Sequence, residues 1–150
     1  MKKKSCWLLV ALMVIFIFSN SAASAGTSNG MSLTVSEWVR PVLNIVGLHP
    51  ETDLNFVIRK LAHFSEYALL GCLITIAYRL QPWSWMKHST ALLPFFIIPV
   101  LDENLQRFSA GRSCELRDML IDSTGMAAGM FLAITLLAIA GHQKKRRING

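Results

Sequence analysis

The sequence from Arg59 to Gly71, RKLAHFSEYALLG, places a lysine, a histidine and a glutamate in what would otherwise be an apolar membrane segment. At about 100° per residue, a helix brings Lys60, His63 and Glu66 within about 120° of arc, so all three can face one neighbour. Ionisable groups at membrane depth cost several kcal/mol unless they are paired or hydrated. The segment therefore predicts polar partners elsewhere in the chain. The candidates are LDENLQRF (101–108), GRSCELRD (111–118) and LIDSTG (120–125).

The composition indicates a small membrane protein. Of the 150 residues, 53% are hydrophobic and 16% are charged, which is too apolar for an ordinary soluble domain of this size. The net charge of +6 does not indicate nucleic-acid binding, because the basic residues lie largely beside apolar runs. We therefore predict one domain over residues 1–150 with the lipid bilayer as its principal partner.

The apolar runs predict an all-α, polytopic fold, a four-helix transmembrane bundle with spans at about residues 6–25, 55–80, 90–108 and 117–140. The last span is the clearest, since Met119 to Ala140 holds a single charge, Asp122. Pro94 and Pro99 lie inside the third span, where neighbouring helices of a bundle can satisfy the freed carbonyl groups.

Two segments near the amino terminus have alternative interpretations. Three lysines, an apolar run and the sequence Ala23-Ser24-Ala25 fit a cleaved signal peptide, although we favour a retained first helix. Residues 26–53 predict a short helix lying in the membrane interface, with Trp38 at headgroup level and a kink or restart at Pro41.

The basic residues also predict an orientation. The amino terminus, the turn after the second span (Gln81 to His88) and the tail (Lys144 to Arg147) are basic and lie on one side of a four-span bundle. That side is expected to be cytoplasmic. We therefore predict a multi-pass protein of the cell membrane with both termini in the cytoplasm and Ser109 to Cys114 outside.

The polar residues of three spans and a loop fall in the outward third of this arrangement. Asp118, Asp122, Gly125 and Gly129 share about 60° of arc, so an acidic stripe continues into a small-residue face that lets another helix approach closely. Asp102 and Gln106 share a face of the third span. These faces predict one pocket, open to the outside.

Four segments resemble the VanZ-like family of membrane proteins, which is named for a glycopeptide (teicoplanin) resistance protein of Gram-positive bacteria. The segments are FIFSNSAASAGTS (16–28), KLAHFSEYALLGCL (60–73), DENLQRFSAGR (102–112) and RDMLIDSTGMAAG (117–129). The family's characteristic polar positions correspond here to Lys60, His63, Glu66, Tyr67, Asp102, Glu103, Gln106, Arg112 and Asp118, and its small positions to Gly71, Gly125 and Gly129. Asp122 departs from the pattern, because many relatives have asparagine there. The resemblance implies a role at the cell envelope, without an established reaction.

The polar positions supply candidate site residues. We predict catalytic roles for His63, Glu66, Asp102 and Asp118. We predict binding roles for Lys60, Tyr67, Glu103, Gln106, Arg112 and Asp122. His63 with nearby carboxylates permits a divalent cation, but the spacing matches no zinc or magnesium signature, so no metal site and no cofactor are predicted. No serine or cysteine stands in a nucleophile motif.

Two functions remain open on the sequence. In the first, His63 and a carboxylate transfer protons while Arg112 and Lys60 hold an anionic lipid or a lipid-linked cell-wall precursor. In the second, the same residues form a non-catalytic scaffold or ligand-binding site, in which buried charges only fix the helix bundle. A transporter is a weaker alternative, because four spans without an internal repeat are few for alternating access.

Overall fold

The all-helical prediction is confirmed by the computed structural model, which describes residues 3–45, 47, 53–80, 93–111 and 115–149. No strand occurs within these ranges. The described ranges contain five helices: α1 (Lys3–Ala22), α2 (Ala25–Ile45), α3 (Leu54–Arg79), α4 (Leu93–Gln106) and α5 (Leu116–Asn149).

Three of the helices are long and apolar enough to cross a membrane. They are Lys4–Ala22, Leu54–Arg79 and Leu116–Gln143, and they correspond to the predicted first, second and fourth spans. The helix α4 has 14 described residues, a length of about 21 Å against the roughly 30 Å of a bilayer core. The start of the predicted third span and the turn from Gln81 to His88 lie outside the described residues, so the four-span arrangement stays a prediction.

The boundary between α1 and α2 differs from the predicted end of the first span at residue 25. The helix α1 ends at Ala22, and the Ser24 hydroxyl accepts a hydrogen bond from the Thr27 backbone N–H at 3.3 Å. This is the geometry of a helix N-cap, which satisfies one of the free N–H groups at the start of α2. Ser24 therefore caps the start of α2 within the stretch that was predicted to end the first span.

The helix α2 is longer than the short helix predicted for this region. It runs for 21 residues with Pro41 inside it, so Pro41 does not end the helix. It packs against α3. Ser32 and Ser36 are buried, whereas the large side chains of Met31 and Trp38 are 54% and 79% exposed. The apolar side of α2 therefore faces away from the rest of the protein.

The most extensive helix contact is between α3 and α5, and the two helices run parallel. Residue numbers rise together along it: Lys60 meets Asp118, Phe64 meets Gly125 and Ala68 meets Gly129. A Cβ atom on Gly125 or Gly129 would lie 2.5 or 1.8 Å from the carbonyl oxygen of its partner. Only glycine allows this approach, so the predicted small-residue face of α5 is confirmed.

The helix α1 runs antiparallel to α3. Trp7 packs edge-on against Tyr78 with a centroid distance of 5.3 Å, and Asn20 contacts Glu66 at the other end. Between these contacts lies a core in which Ile17, Tyr67 and Leu70 have no exposed surface. The carboxyl ends of α1 and α4 and the amino-terminal thirds of α3 and α5 consequently meet at one end of the bundle.

Candidate functional site

The polar end of the bundle contains a cavity of about 100 Å³. It opens between the start of α2, the first turns of α3, the end of α4 and the start of α5. Its lining is Ala25, Phe56, Arg59, Lys60, His63, Gln106, Gly111, Glu115 and Asp118. Four of the predicted site residues, Lys60, His63, Gln106 and Asp118, therefore share one lining.

Lys60 and Asp118 form an ion pair across the parallel helices. The Lys60 ammonium donates hydrogen bonds to both carboxylate oxygens of Asp118. The two side chains are only 14% and 18% exposed, so water screens the pair weakly. The positive charge of Lys60 is thereby largely balanced before any ligand reaches the cavity.

One helical turn deeper, His63 is surrounded by carboxylates from two other helices. Its Nδ1 atom lies 3.5 Å from Oδ1 of Asp122 on α5. Asp102 on α4 completes a group of three side chains whose ligand atoms all lie within 4.8 Å of one another. The sequence analysis placed these three residues in one pocket and allowed a cation beside His63, but it did not single out this group, because its members come from three helices and share no spacing motif.

Asp102 and Asp122 are buried without hydrogen bonds of ordinary geometry. Their exposed fractions are 0% and 1%, and no carboxylate oxygen of either residue has a hydrogen-bond partner among the described residues. The Ser21 and Tyr67 hydroxyl groups lie near Asp102. An unpaired carboxylate at this depth is costly, which makes the pair an expected place for function.

Glu66 was predicted to face the same neighbouring helix as Lys60 and His63, but the structure turns it towards another. Its Oε1 atom accepts a hydrogen bond from Nδ2 of Asn20 on α1 at 3.0 Å. Glu66 lies about 60° further round α3 than His63, which turns it from α5 towards α1. Asn20 was not predicted as a site residue, although an asparagine near the end of an apolar helix was a usable signal.

Glu103 and Gln106 connect the elements around the cavity. The Glu103 carboxylate accepts a hydrogen bond from the Glu115 backbone N–H at 2.6 Å, immediately before α5 begins. Nε2 of Gln106 lies 3.5 Å from the Ser21 hydroxyl oxygen. Both residues are buried, and their contacts position the start of α5 and the end of α1.

A basic ring, defined as Arg59, Lys60 and Arg117 around the Phe56 side chain, lies at the edge of the cavity, where Arg59 and Lys60 are lining residues and Arg117 is 60% exposed, 3.9 Å from the Glu115 carboxylate. The three cationic groups are 5.9, 5.2 and 5.0 Å from the centre of the Phe56 ring. Arg59 also donates a hydrogen bond to Asn29 on α2 at 3.0 Å. The sequence analysis did not select Phe56 or Arg59, because an aromatic residue three or four positions before a basic one is common in any helix.

The structure therefore separates the predicted residues into layers. The basic ring and the Lys60–Asp118 pair lie at the cavity, the group of His63, Asp102 and Asp122 lies next to it, and Tyr67 is buried beside Asp102. Arg112 lies outside the described residues. A cationic surface beside buried carboxylates and an imidazole suits an anionic ligand, with proton-transfer groups within reach.

The chain was also compared with known proteins. No curated protein and no solved structure gave a significant match. A family model described as VanZ/LLP1 matches residues 6–138, which is nearly the whole chain. This stretch contains all the predicted site residues. The chain belongs to the VanZ/LLP1 family.

Proposed function

We propose that the protein crosses the bacterial cell membrane four times, with both termini in the cytoplasm. The parallel course of α3 and α5 supports this arrangement, because two parallel spans require the chain between Arg79 and Leu116 to cross back. The helix α4 belongs to that return segment. Labelling of Cys114 by a membrane-impermeant maleimide from outside the cell is expected, and labelling only from the cytoplasmic side would contradict the orientation.

The helix α2 is proposed to lie in the membrane interface on the outer side. Its buried serines face the protein, and its exposed apolar side chains, including Trp38, are available to lipid. Because Arg59 bonds to Asn29 of α2 and Ala25 lines the cavity, this position places the cavity at headgroup level. Lipid headgroups then reach the cavity without leaving the membrane.

The cavity is proposed to bind the phosphate group of an anionic lipid or of a lipid-linked cell-wall precursor. The observation that carries this proposal is the basic ring, whose three cationic groups surround one aromatic side chain at the cavity. Arginine matches phosphate oxygens with two parallel hydrogen bonds, and each charge-assisted hydrogen bond contributes about 1.5 to 3 kcal/mol. Lys60 is balanced by Asp118, whereas Arg117 has only a weak, exposed pair with Glu115 at 3.9 Å, so Arg59 and Arg117 supply most of the attraction.

Beside the bound phosphate, His63 is the residue suited to proton transfer. It lines the cavity and contacts a carboxylate, which is the arrangement of a general base. By analogy with the protein for which the family is named, the envelope role includes tolerance to teicoplanin-type glycopeptides. The alternative is a scaffold, in which the buried charges only hold the bundle together.

Titration with short-chain lipids tests the binding proposal. Full-length protein in detergent is titrated by calorimetry with dihexanoyl phosphatidylglycerol, with a short isoprenyl diphosphate and, as the zwitterionic reference, with dihexanoyl phosphatidylcholine. We expect the Arg59→Gln/Arg117→Gln variant to bind the preferred anionic ligand about 100-fold more weakly or worse, because two charge-assisted hydrogen bonds of at least about 1.5 kcal/mol each are lost. The first two ligands distinguish a phospholipid from a cell-wall carrier.

The matched control is Arg79→Gln, which removes an exposed arginine at the opposite end of α3. This variant is expected to bind like the original protein. Equal affinity for all three lipids, or an unchanged affinity after loss of both Arg59 and Arg117, contradicts the proposal.

The scaffold alternative is tested in cells. His63→Gln is compared with the original protein for its amount in the membrane and for teicoplanin tolerance. A working site predicts normal abundance with lost tolerance, whereas a scaffold predicts that both fall together. Retention of both would exclude a role for His63.

A further inference from the structure

The group formed by His63, Asp102 and Asp122 has the ligand types of a metal centre. One imidazole and two carboxylates come from α3, α4 and α5, and their ligand atoms lie within 4.8 Å of one another. When two ligand atoms each lie about 2.1 Å from one tetrahedral metal ion, they are about 3.4 Å from each other. The 3.5 Å between Nδ1 of His63 and Oδ1 of Asp122 matches that separation.

The two carboxylates point to a ligand independently of this spacing. Asp102 and Asp122 are 0% and 1% exposed, and none of their carboxylate oxygens makes a hydrogen bond of ordinary geometry within the described residues, although the Ser21, Tyr67 and His63 side chains lie close by. A carboxylate that only stabilises a fold is normally paired, as Asp118 is with Lys60. The oxygen lone pairs of these two carboxylates therefore remain available to coordinate a cation.

The charge of the group supports the same conclusion. Metal coordination requires both carboxyl groups ionised and the imidazole neutral, and in that form the group carries two negative charges, while the nearby Lys60 ammonium is engaged with Asp118. One divalent cation would bring this sum to zero. Neutralisation matters most in an apolar bundle, where an uncompensated buried charge costs several kcal/mol.

We propose that His63, Asp102 and Asp122 bind one divalent transition-metal cation of the Zn²⁺ or Mn²⁺ type. The imidazole disfavours Mg²⁺ and Ca²⁺, which prefer oxygen ligands alone. The Tyr67 hydroxyl, which is buried near Asp102, lies in the shell that orients the ligands. Three protein ligands leave a coordination position for water or another oxygen ligand.

The position of His63 connects this metal site with the cavity. His63 lines the cavity, whereas Asp102 and Asp122 lie behind it and are closed to solvent. A metal held there presents its open side towards the cavity. Coordination of a phosphate oxygen by the metal rests on the proposed lipid binding, but the metal site itself does not.

Metal uptake tests the site with the metal alone as the probe. Full-length protein in nanodiscs is stripped with chelator and then equilibrated with Zn²⁺ or Mn²⁺, and its metal content is measured by mass spectrometry. We expect about one ion per chain. Loss of a residue that only orients a metal ligand weakens metal affinity about 10- to 100-fold. Asp102→Asn or Asp122→Asn changes a ligand itself, so each should weaken metal affinity about 100-fold or more.

Two matched controls identify the ligands. Glu37→Gln removes an exposed carboxylate on α2, and His142→Gln removes an exposed histidine. Both variants should retain the metal. In addition, Mn²⁺ bound to the original protein should show nitrogen coupling in pulsed electron paramagnetic resonance, and His63→Gln should lose that coupling.

The proposal is overturned if the original protein takes up neither ion, or if Asp102→Asn and Asp122→Asn bind as tightly as it does. Adding metal should also raise the thermal unfolding temperature of the original protein, because an ion that binds the folded state stabilises it. No rise would count against the site, and this measurement needs no variant. The Arg59→Gln/Arg117→Gln variant distinguishes the two proposals. It should keep the metal, so failure of lipid binding and failure of metal binding are observed separately.

Discussion

The interface between α3 and α5 has two halves with opposite chemistry. In the polar half, Lys60 and His63 face Asp118 and Asp122. In the glycine half, Gly71, Gly125 and Gly129 bring the two backbones into contact. The same pair of helices thus carries a charged layer at one end and a tightly packed apolar layer along the rest.

The comparison teaches which half stabilises the bundle and which half is available for function. The glycine half leaves little space, and the Cys72 thiol donates a hydrogen bond to the Gly129 carbonyl oxygen at 3.0 Å. Packing of small residues drives association in lipid, where no hydrophobic effect acts between helices. The polar half instead contains the buried Asp122 carboxylate, which makes no hydrogen bond of ordinary geometry within the described residues, so Asp122 reduces stability unless a ligand binds.

The largest expected effect comes from filling the glycine half. A Cβ atom on Gly129 would lie 1.8 Å from the Ala68 carbonyl oxygen, which is backbone and cannot rotate away. We expect Gly129→Ala to lower the free energy of unfolding by about 3 kcal/mol, at the upper end for an overpacked core. Thermal unfolding in detergent measures the change.

Gly141→Ala is the matched control for that variant. Gly141 lies in the same helix as Gly129, but a Cβ atom on it would meet nothing within 4 Å. Alanine should be neutral or should stabilise by up to about 1 kcal/mol through helix propensity. Equal destabilisation by both variants would mean that close packing does not distinguish the glycine half.

A smaller loss is expected from breaking the ion pair in the polar half. Lys60→Met leaves the Asp118 carboxylate at 18% exposure without its cation, so we expect a loss of about 2 kcal/mol, below the 3 to 5 typical of fully buried pairs. The double variant Lys60→Met/Asp118→Leu should recover most of that loss. A double-mutant cycle on unfolding free energies measures the coupling, and additive losses would show that the pair contributes little.

The smallest expected effect has the opposite sign. In metal-free protein, Asp122→Asn removes one of two neighbouring buried carboxylates, so we expect the free energy of unfolding to rise by about 1 kcal/mol. The same variant should lose the proposed metal binding. If Asp122→Asn instead destabilises the metal-free protein, the polar half is a structural network and the contrast between the halves disappears.

Several features could be predicted from particular residues. The single charge in the last span and the length of its apolar run predicted α5, and the spacing of Asp118, Asp122, Gly125 and Gly129 predicted its face towards another helix. The four segments that resemble the family all lie within residues 6–138, the range that the family model matches. These predictions depended on local periodicity, which a sequence displays directly.

Other features could not be predicted for physical reasons. The rotation of Glu66 towards Asn20 depends on where α1 packs, and the arc of α3 alone permits either neighbour. The Ser24 cap was hidden within a run of small residues that also fits a signal peptide or a longer helix. The basic ring required knowing that Arg117 on α5 reaches Phe56 on α3.

The sequence by itself determined a helical membrane protein, the faces of its helices and the residues that must avoid lipid, because hydrophobicity and the 3.6-residue period act locally. The tertiary structure decided which of those polar residues meet. The glycines let the parallel helices α3 and α5 approach closely, and α4 brings Asp102 to the His63 and Asp122 side chains. Contacts between distant segments depend on how whole helices pack, and no single segment contains that information.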